Sequence, residues 1–323
     1  MSRHWATIGE AGALTGLRTM VWINNHLGRV AFNIVLVPVM TYFFMRRGEV
    51  RRASGNFLRR VRRQYPRRLG RGPILWFSFR HFLSFGQALL DRYVAWIKPP
   101  SNIEISDDVR EMQSALIESR KGILLMGSHF GNLEYSRSIG NDHEDLVVNI
   151  LLHDRHAEKF AELMRTSAAH SRVNLIQVTD LDLDLALRLQ EKVANGEWLL
   201  IAGDRVPIDN NDKVSSATFF GDQADFPIGP FVLANLLHCP VYLLHCYQTQ
   251  GEYFLDMELF EESVSPARQD KRRNYDREVQ KFATALEDRV CREPLQWFNF
   301  YDFWGDEATS VTQTDRLRDD DQD

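Results

Sequence analysis

Sixteen consecutive uncharged residues, VAFNIVLVPVMTYFFM at 30–45, run directly into a stretch where, by residue 71, eleven arginines are opposed by one acid, Glu49. As an α-helix, sixteen residues rise only about 24 Å, short of the roughly 30 Å hydrocarbon core of a bilayer, and Pro38 removes a backbone donor on the way. The segment therefore reads as a helix that dips into a bilayer or barely crosses it. An ordinary buried helix is the alternative. Arginines placed just after an apolar segment suit both the positive-inside rule and attraction to anionic lipid. A basic block can also meet nucleic acid, but this one has apolar sequence on both sides, FFM before it and ILWFSFRHFLSFGQALL (74–90) after it. The reading that follows has no nucleic-acid partner. Residues 1–100 form a helical region associated with a membrane surface, up to the break at Pro99-Pro100.

Beyond that break the pattern changes to alternating short apolar runs and amphipathic stretches. Strands are expected at 122–127, 147–152, 173–178, 198–202 and 241–247. Helices are expected at 107–120, from about Asn132, and at 158–167, 184–194 and 229–237. Alternation of this kind predicts an α/β sheet with parallel pairs over residues 101–305. The tail from Asp315 is strongly charged and reads as disordered, so 306–323 is set apart. Cys239, Cys246 and Cys291 show no CxxC spacing, which indicates neither a disulfide framework nor a thiolate metal site and fits a reducing cytoplasm. The N-terminus lacks the basic start, apolar centre and cleavage site of a signal peptide.

Chemistry is concentrated in SHFGNLE, residues 128–134, directly after the apolar run Ile123–Met126. In a βα unit, ligands sit where a strand ends and the next helix begins. Gly131 permits a sharp turn, Asn132 is a candidate helix N-cap, and Glu134 falls in the first turn. Five residues along one helix would be rotated about 140° apart, so His129 and Glu134 can meet only if His129 lies in the loop and folds back. Glu134 would then hold one imidazole nitrogen while the other takes a proton from an incoming hydroxyl. A core histidine bonded to a nearby acid gives the same spacing.

At two further strand ends, Arg155 and Arg205 are placed to grip a phosphate, with surface ion pairs as the alternative. His153 and His156 stand three apart without an evident third ligand, so no metal is expected. Phe219-Phe220-Gly221 and Phe226-Pro227-Ile228-Gly229 are candidates to line an acyl groove or simply to fill the core.

Taken in order, these segments resemble the lysophospholipid acyltransferase superfamily, in particular its bacterial lipid A biosynthesis acyltransferase branch. SHFGNLE resembles the family's H-x4-D/E motif, WLLIAGDRVP (198–207) its strand ending in an acid, FFGDQADFPIGPFVLANLLHCPVYLL (219–244) its aromatic-glycine segment, and PLQWFNFYDFW (294–304) its C-terminal aromatic stretch. The resemblance implies a glycerol-3-phosphate-acyltransferase-like mixed sheet flanked by helices. It implies an O-acyltransferase that moves a fatty acyl group from acyl carrier protein or coenzyme A to a lipid or glycolipid hydroxyl. The thioester is a co-substrate and no cofactor is implied. His129 would be the general base and Glu134 its partner. Gly131, Asn132, Arg155, Asp204, Arg205, Phe220 and Gly221 are the candidate substrate-binding residues. The implied location is the inner membrane of a bacterium, with the catalytic domain on the cytoplasmic face. Where lipid A enzymes commonly carry an acid-glutamine-acid triplet, this chain has Gly203-Asp204-Arg205, which points to a divergent branch such as the acyltransferases found with aryl-polyene-type lipid pathways. A thioesterase, in which water replaces the alcohol, and a non-catalytic lipid-binding protein are the competing readings. No G-x-S-x-G elbow supports a serine hydrolase.

Overall fold

A computed structural model describes residues 13–97, 103–136, 146–152, 173–178, 183–206, 213–265, 267–269 and 272–305. The expected helix at 158–167, the residues Arg155, His153 and His156, and the charged tail lie outside the described residues.

The N-terminal region is helical, as its composition predicts. Helix α1 (Ala13–Arg46) is broken at Gly28, whose φ of 81° is left-handed, and it contains Pro38. Helices α2 (Gly48–Gln64), α3 (Pro66–Leu69) and α4 (Ile74–Ile97) follow. Within α1, Thr19–Arg46 is long and apolar enough to cross a membrane by length and composition, with only 17% of its most apolar window buried. The arginine run has two fates that its composition did not separate. Arg46, Arg47, Arg52, Arg59, Arg67, Arg68 and Arg71 are exposed. Arg60 and Arg63 clamp Asp222 at 2.7 Å each, and Arg60 also lies over the Trp304 ring. Arg62 donates to the Gly72 carbonyl and Arg51 to that of Phe44.

The remaining elements build a seven-stranded mixed sheet in the order β1-β9-β8-β2-β5-β3-β4. The strands are β1 (Ile103–Ile105), β2 (Ile123–Gly127), β3 (Val148–Leu152), β4 (Val173–Gln177), β5 (Trp198–Ala202), β8 (Val241–Thr249) and β9 (Glu252–Glu261). Every neighbouring pair is parallel except β8 with β9. Strand β2 is central and wholly buried because both sheet faces are covered, which is why it reads as a continuous apolar run. Leu124 and Met126 enter one core with residues of α2 and of helices α6 (Leu183–Ala194), α7 (Gly229–Leu237) and α8 (Asp276–Val290). Ile123 and Leu125 enter the other, beneath helix α5 (Asp107–Glu118). Ser106 caps α5 by accepting from the Val109 N–H, and Asp107 and Asp108 sit in its first turn, where the helix dipole favours acids.

Sequence periodicity missed β9, helix α8 and a separate hairpin, β6 (Val214–Phe219) with β7 (Asp222–Pro227). The hairpin turn is Phe220-Gly221, with φ of 49° and 79°, the two positive angles of a type I′ turn. Short β10 (Ala267–Gln269) and β11 (Arg272–Asn274) pair with each other. The helix expected from Asn132 is, over its described part, a 3₁₀ turn at Leu133–Ser136.

Candidate active site

The pairing of β2 with β5 determines what meets at their ends. Gly127 is opposite Ala202, so residues two further along each strand, His129 and Asp204, leave the sheet side by side. Asp204 Oδ1 lies 2.7 Å from Nδ1 of His129, and both carboxylate oxygens accept the His129 backbone N–H at 3.0 Å. Trp297 Nε1 donates to Oδ2 at 3.1 Å, and Asn299 Nδ2 donates to the same oxygen at 2.8 Å. Asp204 has no solvent exposure. Burial alone would raise its pKa, but the His129 ring and backbone N–H, together with Arg205, outweigh that and hold the carboxyl far below the usual carboxylate range.

The segment supplying Trp297 and Asn299 is pinned against the motif loop. The Phe298 N–H donates to the His129 carbonyl at 2.9 Å and the Gly131 N–H to the Gln296 carbonyl at 2.8 Å. Gly131 has a φ of 72°, and a β-carbon there would come within 2.0 Å of the Cys246 carbonyl oxygen. Glycine is therefore required by the backbone of β8 as well as by the turn. Asn132 does not cap with its side chain. Its backbone N–H donates to Cys246 at 2.7 Å and its carbonyl accepts from Tyr135 at 3.1 Å. Among the described residues, the buried Asn132 amide, the Ser128 hydroxyl and both ring nitrogens of His245 have no hydrogen-bond partner.

His129 is pulled below the ordinary histidine pKa, first by burial and then by the positive field of Arg205, against the raising influence of Asp204. The neutral ring donates its Nδ1–H in a hydrogen bond to the Asp204 carboxylate, which leaves the lone pair on Nε2. At 26% exposure the side chain remains reachable from outside.

These contacts revise the expected dyad. The carboxylate on Nδ1 is Asp204, and Glu134 instead faces Arg92 of α4 at 3.5 Å. The cause is topological, since the strand register delivers Asp204 to the ring while the 3₁₀ turn carries Glu134 toward α4. Asp204, expected to face substrate, is spent on holding His129. Arg205 gives Nε to Asn299 Oδ1 at 2.6 Å and Nη2 to the Phe298 carbonyl at 2.7 Å, so its guanidinium braces the loop that presents Asn299. Phe220 is fully buried against Phe57 and Tyr65, and its N–H bonds Glu287. A β-carbon on Gly221 would collide with Gln64. Phe220 therefore belongs to the packed core rather than to a groove wall, whereas Gly221 is exposed at the hairpin turn.

Three contributors escaped sequence reading: Trp297, Asn299 and His81. The signal for Asn299 was a lone amide within the aromatic run WFNFYDFW. His81 gives Nε2–H to the Trp297 carbonyl at 3.0 Å, and its Nδ1 accepts from Ser54 Oγ at 3.1 Å, which accepts from Ser78 at 2.8 Å. Through Trp297 this buried chain links α2 and α4 to Asp204.

The family model for bacterial lipid A biosynthesis acyltransferase matches residues 79–305, more than half of the 323-residue chain. No sequence among the curated proteins matches.

Proposed function

Because the chain belongs to the bacterial lipid A biosynthesis acyltransferase family, we propose that it is an O-acyltransferase in which His129 is the general base and Asp204 its orienting partner. The observation that carries this reading is the 2.7 Å contact between Asp204 and Nδ1, which fixes the tautomer and turns Nε2 toward the acceptor. As the acceptor oxygen attacks the thioester carbonyl, Nε2 takes its proton. Asp204, held ionised, stabilises the resulting imidazolium. Collapse of the tetrahedral intermediate breaks the carbon–sulfur bond, and the imidazolium returns its proton to the leaving thiolate. Ester and free thiol are the products, and no enzyme nucleophile is consumed.

The donor is a fatty acyl thioester on acyl carrier protein or coenzyme A, and the acceptor is a lipid or glycolipid hydroxyl at a membrane surface. Asn132, three residues after His129, suits a substrate contact, because its buried amide has no partner among the described residues. Glu134 supports the site through Arg92, which ties the motif loop to α4. Incubating purified protein with radiolabelled acyl carrier protein and candidate lipid acceptors tests the reading. Labelled acyl-lipid that His129→Ala does not form supports it, whereas free fatty acid as the sole product would make the protein a thioesterase.

A further inference from the structure

Whether an apolar segment crosses a bilayer or lies in its surface depends on what the helix packs against, and α1 packs along its length. Going up α1, its partners go down α4: Arg29 with Asp91, Asn33 with Gln87, Leu36 and Met40 against Gly86, and Phe44 against Phe82 and Phe79. The two helices are antiparallel, and α4 is itself fastened to the catalytic domain over the same stretch. His81 bonds the Trp297 carbonyl, Phe85 packs on Phe298 and Phe300, Asp91 accepts from the Tyr253 hydroxyl at 2.7 Å, and Arg92 meets Glu134. Residues 29–44 therefore run along the flank of the domain. A helix in that position cannot cross roughly 30 Å of hydrocarbon unless the flank, with Asp91 and Arg92, enters it too.

The inner face of α1, Phe32, Leu36 and Met40, is buried. Beyond the break at Gly28, the outer face repeats at helical spacing as Val30, Ile34 and Val37, with Val30 at 75% and Ile34 at 67% exposure. Where α1 ends beside the start of α4, Tyr42, Met45, Leu75 and Trp76 are exposed too. Arg46 and Arg47 at the end of α1, and Arg71 and Arg80 at the start of α4, are exposed, and Glu49 is the one acid among the described residues 42–80. An apolar stripe with an aromatic and cationic margin matches the depth profile of one anionic leaflet, with acyl chains inside and phosphates at the edge.

We infer that α1 lies in the plane of the membrane and does not span it, immersing the outward face of the α1–α4 pair in a single anionic leaflet. The segment that supports Asp204, residues 297–300, packs directly on α4, so an acceptor hydroxyl at the interface is brought alongside His129. The placement rests on the acyltransferase reading only for that purpose.

The test uses the full chain added to preformed vesicles containing phosphatidylglycerol, with single variants Asn25→Cys and Glu49→Cys bracketing the apolar segment. The native cysteines are buried, and wild type serves as the labelling control. In bound protein, a membrane-impermeant maleimide is expected to label both positions equally from outside. Protection of one of the two until detergent is added would overturn the inference in favour of a span. The double variant Ile34→Glu/Val37→Glu alters only exposed positions, and should lower vesicle binding at least tenfold with an unchanged near-UV spectrum. Unchanged binding, or a lipid-free dimer in light scattering that this variant dissolves, would overturn the inference as well. Correct labelling without any acyl transfer would remove the proposed activity and leave the membrane placement standing.

Discussion

Asp204 stands 75 residues after His129 in the chain, yet its carboxylate meets the imidazole Nδ1 at 2.7 Å while its other oxygen collects the Trp297 and Asn299 donors. Three separated segments thus converge on one buried charge, and the catalytic assignments follow from what each contributes.

Replacing His129 by alanine removes the proposed base. Proton abstraction of this kind contributes about 10²–10⁴-fold, so kcat/KM should fall by that range while membrane binding and the thermal transition stay near wild type. An undiminished rate in the acyl-transfer assay would exclude His129 from the chemistry.

Asp204→Asn keeps the shape but loses the charge that fixes the tautomer, and its activity should fall by about 10²-fold or more. Glu134→Gln, whose carboxylate faces Arg92, should lose less than about tenfold. If instead the glutamate variant is the more damaged of the two, the orienting role belongs to Glu134.

The pH dependence has a defined sign. In the proposed mechanism activity requires neutral His129, whose pKa is lowered from its usual 6.5, chiefly by burial. The acid limb of kcat/KM should therefore have its inflection below 6.5. Asp204 opposes that lowering, so in Asp204→Asn the residual activity should show an inflection at still lower pH. An acid limb above 7 would contradict a buried neutral base.

Stability should respond to acid through His81 and His245, which burial lowers from 6.5 to about 3. Between those values the unfolded chain binds protons that the folded protein refuses. Unfolding free energy is then constant above 6.5 on their account and falls with decreasing pH, on the order of 1 kcal/mol per pH unit for each histidine. Asp204 is lowered too and acts in the same direction, but only below its ordinary 3.8, so pH 4.5–6.5 isolates the histidines. Denaturant titrations across that window in wild type and His245→Gln should show a shallower slope in the variant, and identical slopes would refute the assignment.

Trp297→Phe keeps an aromatic ring among Phe57, Phe219 and Phe303 but removes the indole donor to Asp204. The loss of a hydrogen bond to a buried charge should cost about 1–3 kcal/mol by denaturant unfolding and reduce activity. A variant as stable and as active as wild type would show that Asn299 alone is sufficient at Oδ2.

The amino-acid sequence by itself determined the elements whose cause is local. Apolar runs bounded by glycine or proline specified β2, β5 and β8, a run between charged residues specified β3, and the charge-free segment specified the helix ahead of the arginines. SHFGNLE at a strand end placed His129 correctly, because a polar turn after a wholly apolar strand has one end of the sheet to occupy. β9 and the hairpin were not read, and the hairpin turn puts Phe220 at a positive φ, a conformation that the propensity of phenylalanine does not signal. The partner of His129 was not legible, because both Glu134 and Asp204 are acids near strand ends and spacing favours the nearer. Which strand neighbours β2 is decided by the packing of the whole sheet, and that register brings Asp204 to the ring and sends Glu134 to Arg92. Composition likewise could not sort the arginines or show that the apolar helix packs along α4. Those outcomes depend on Asp222, Trp304 and α4, which reach these residues only when the chain has folded around its core.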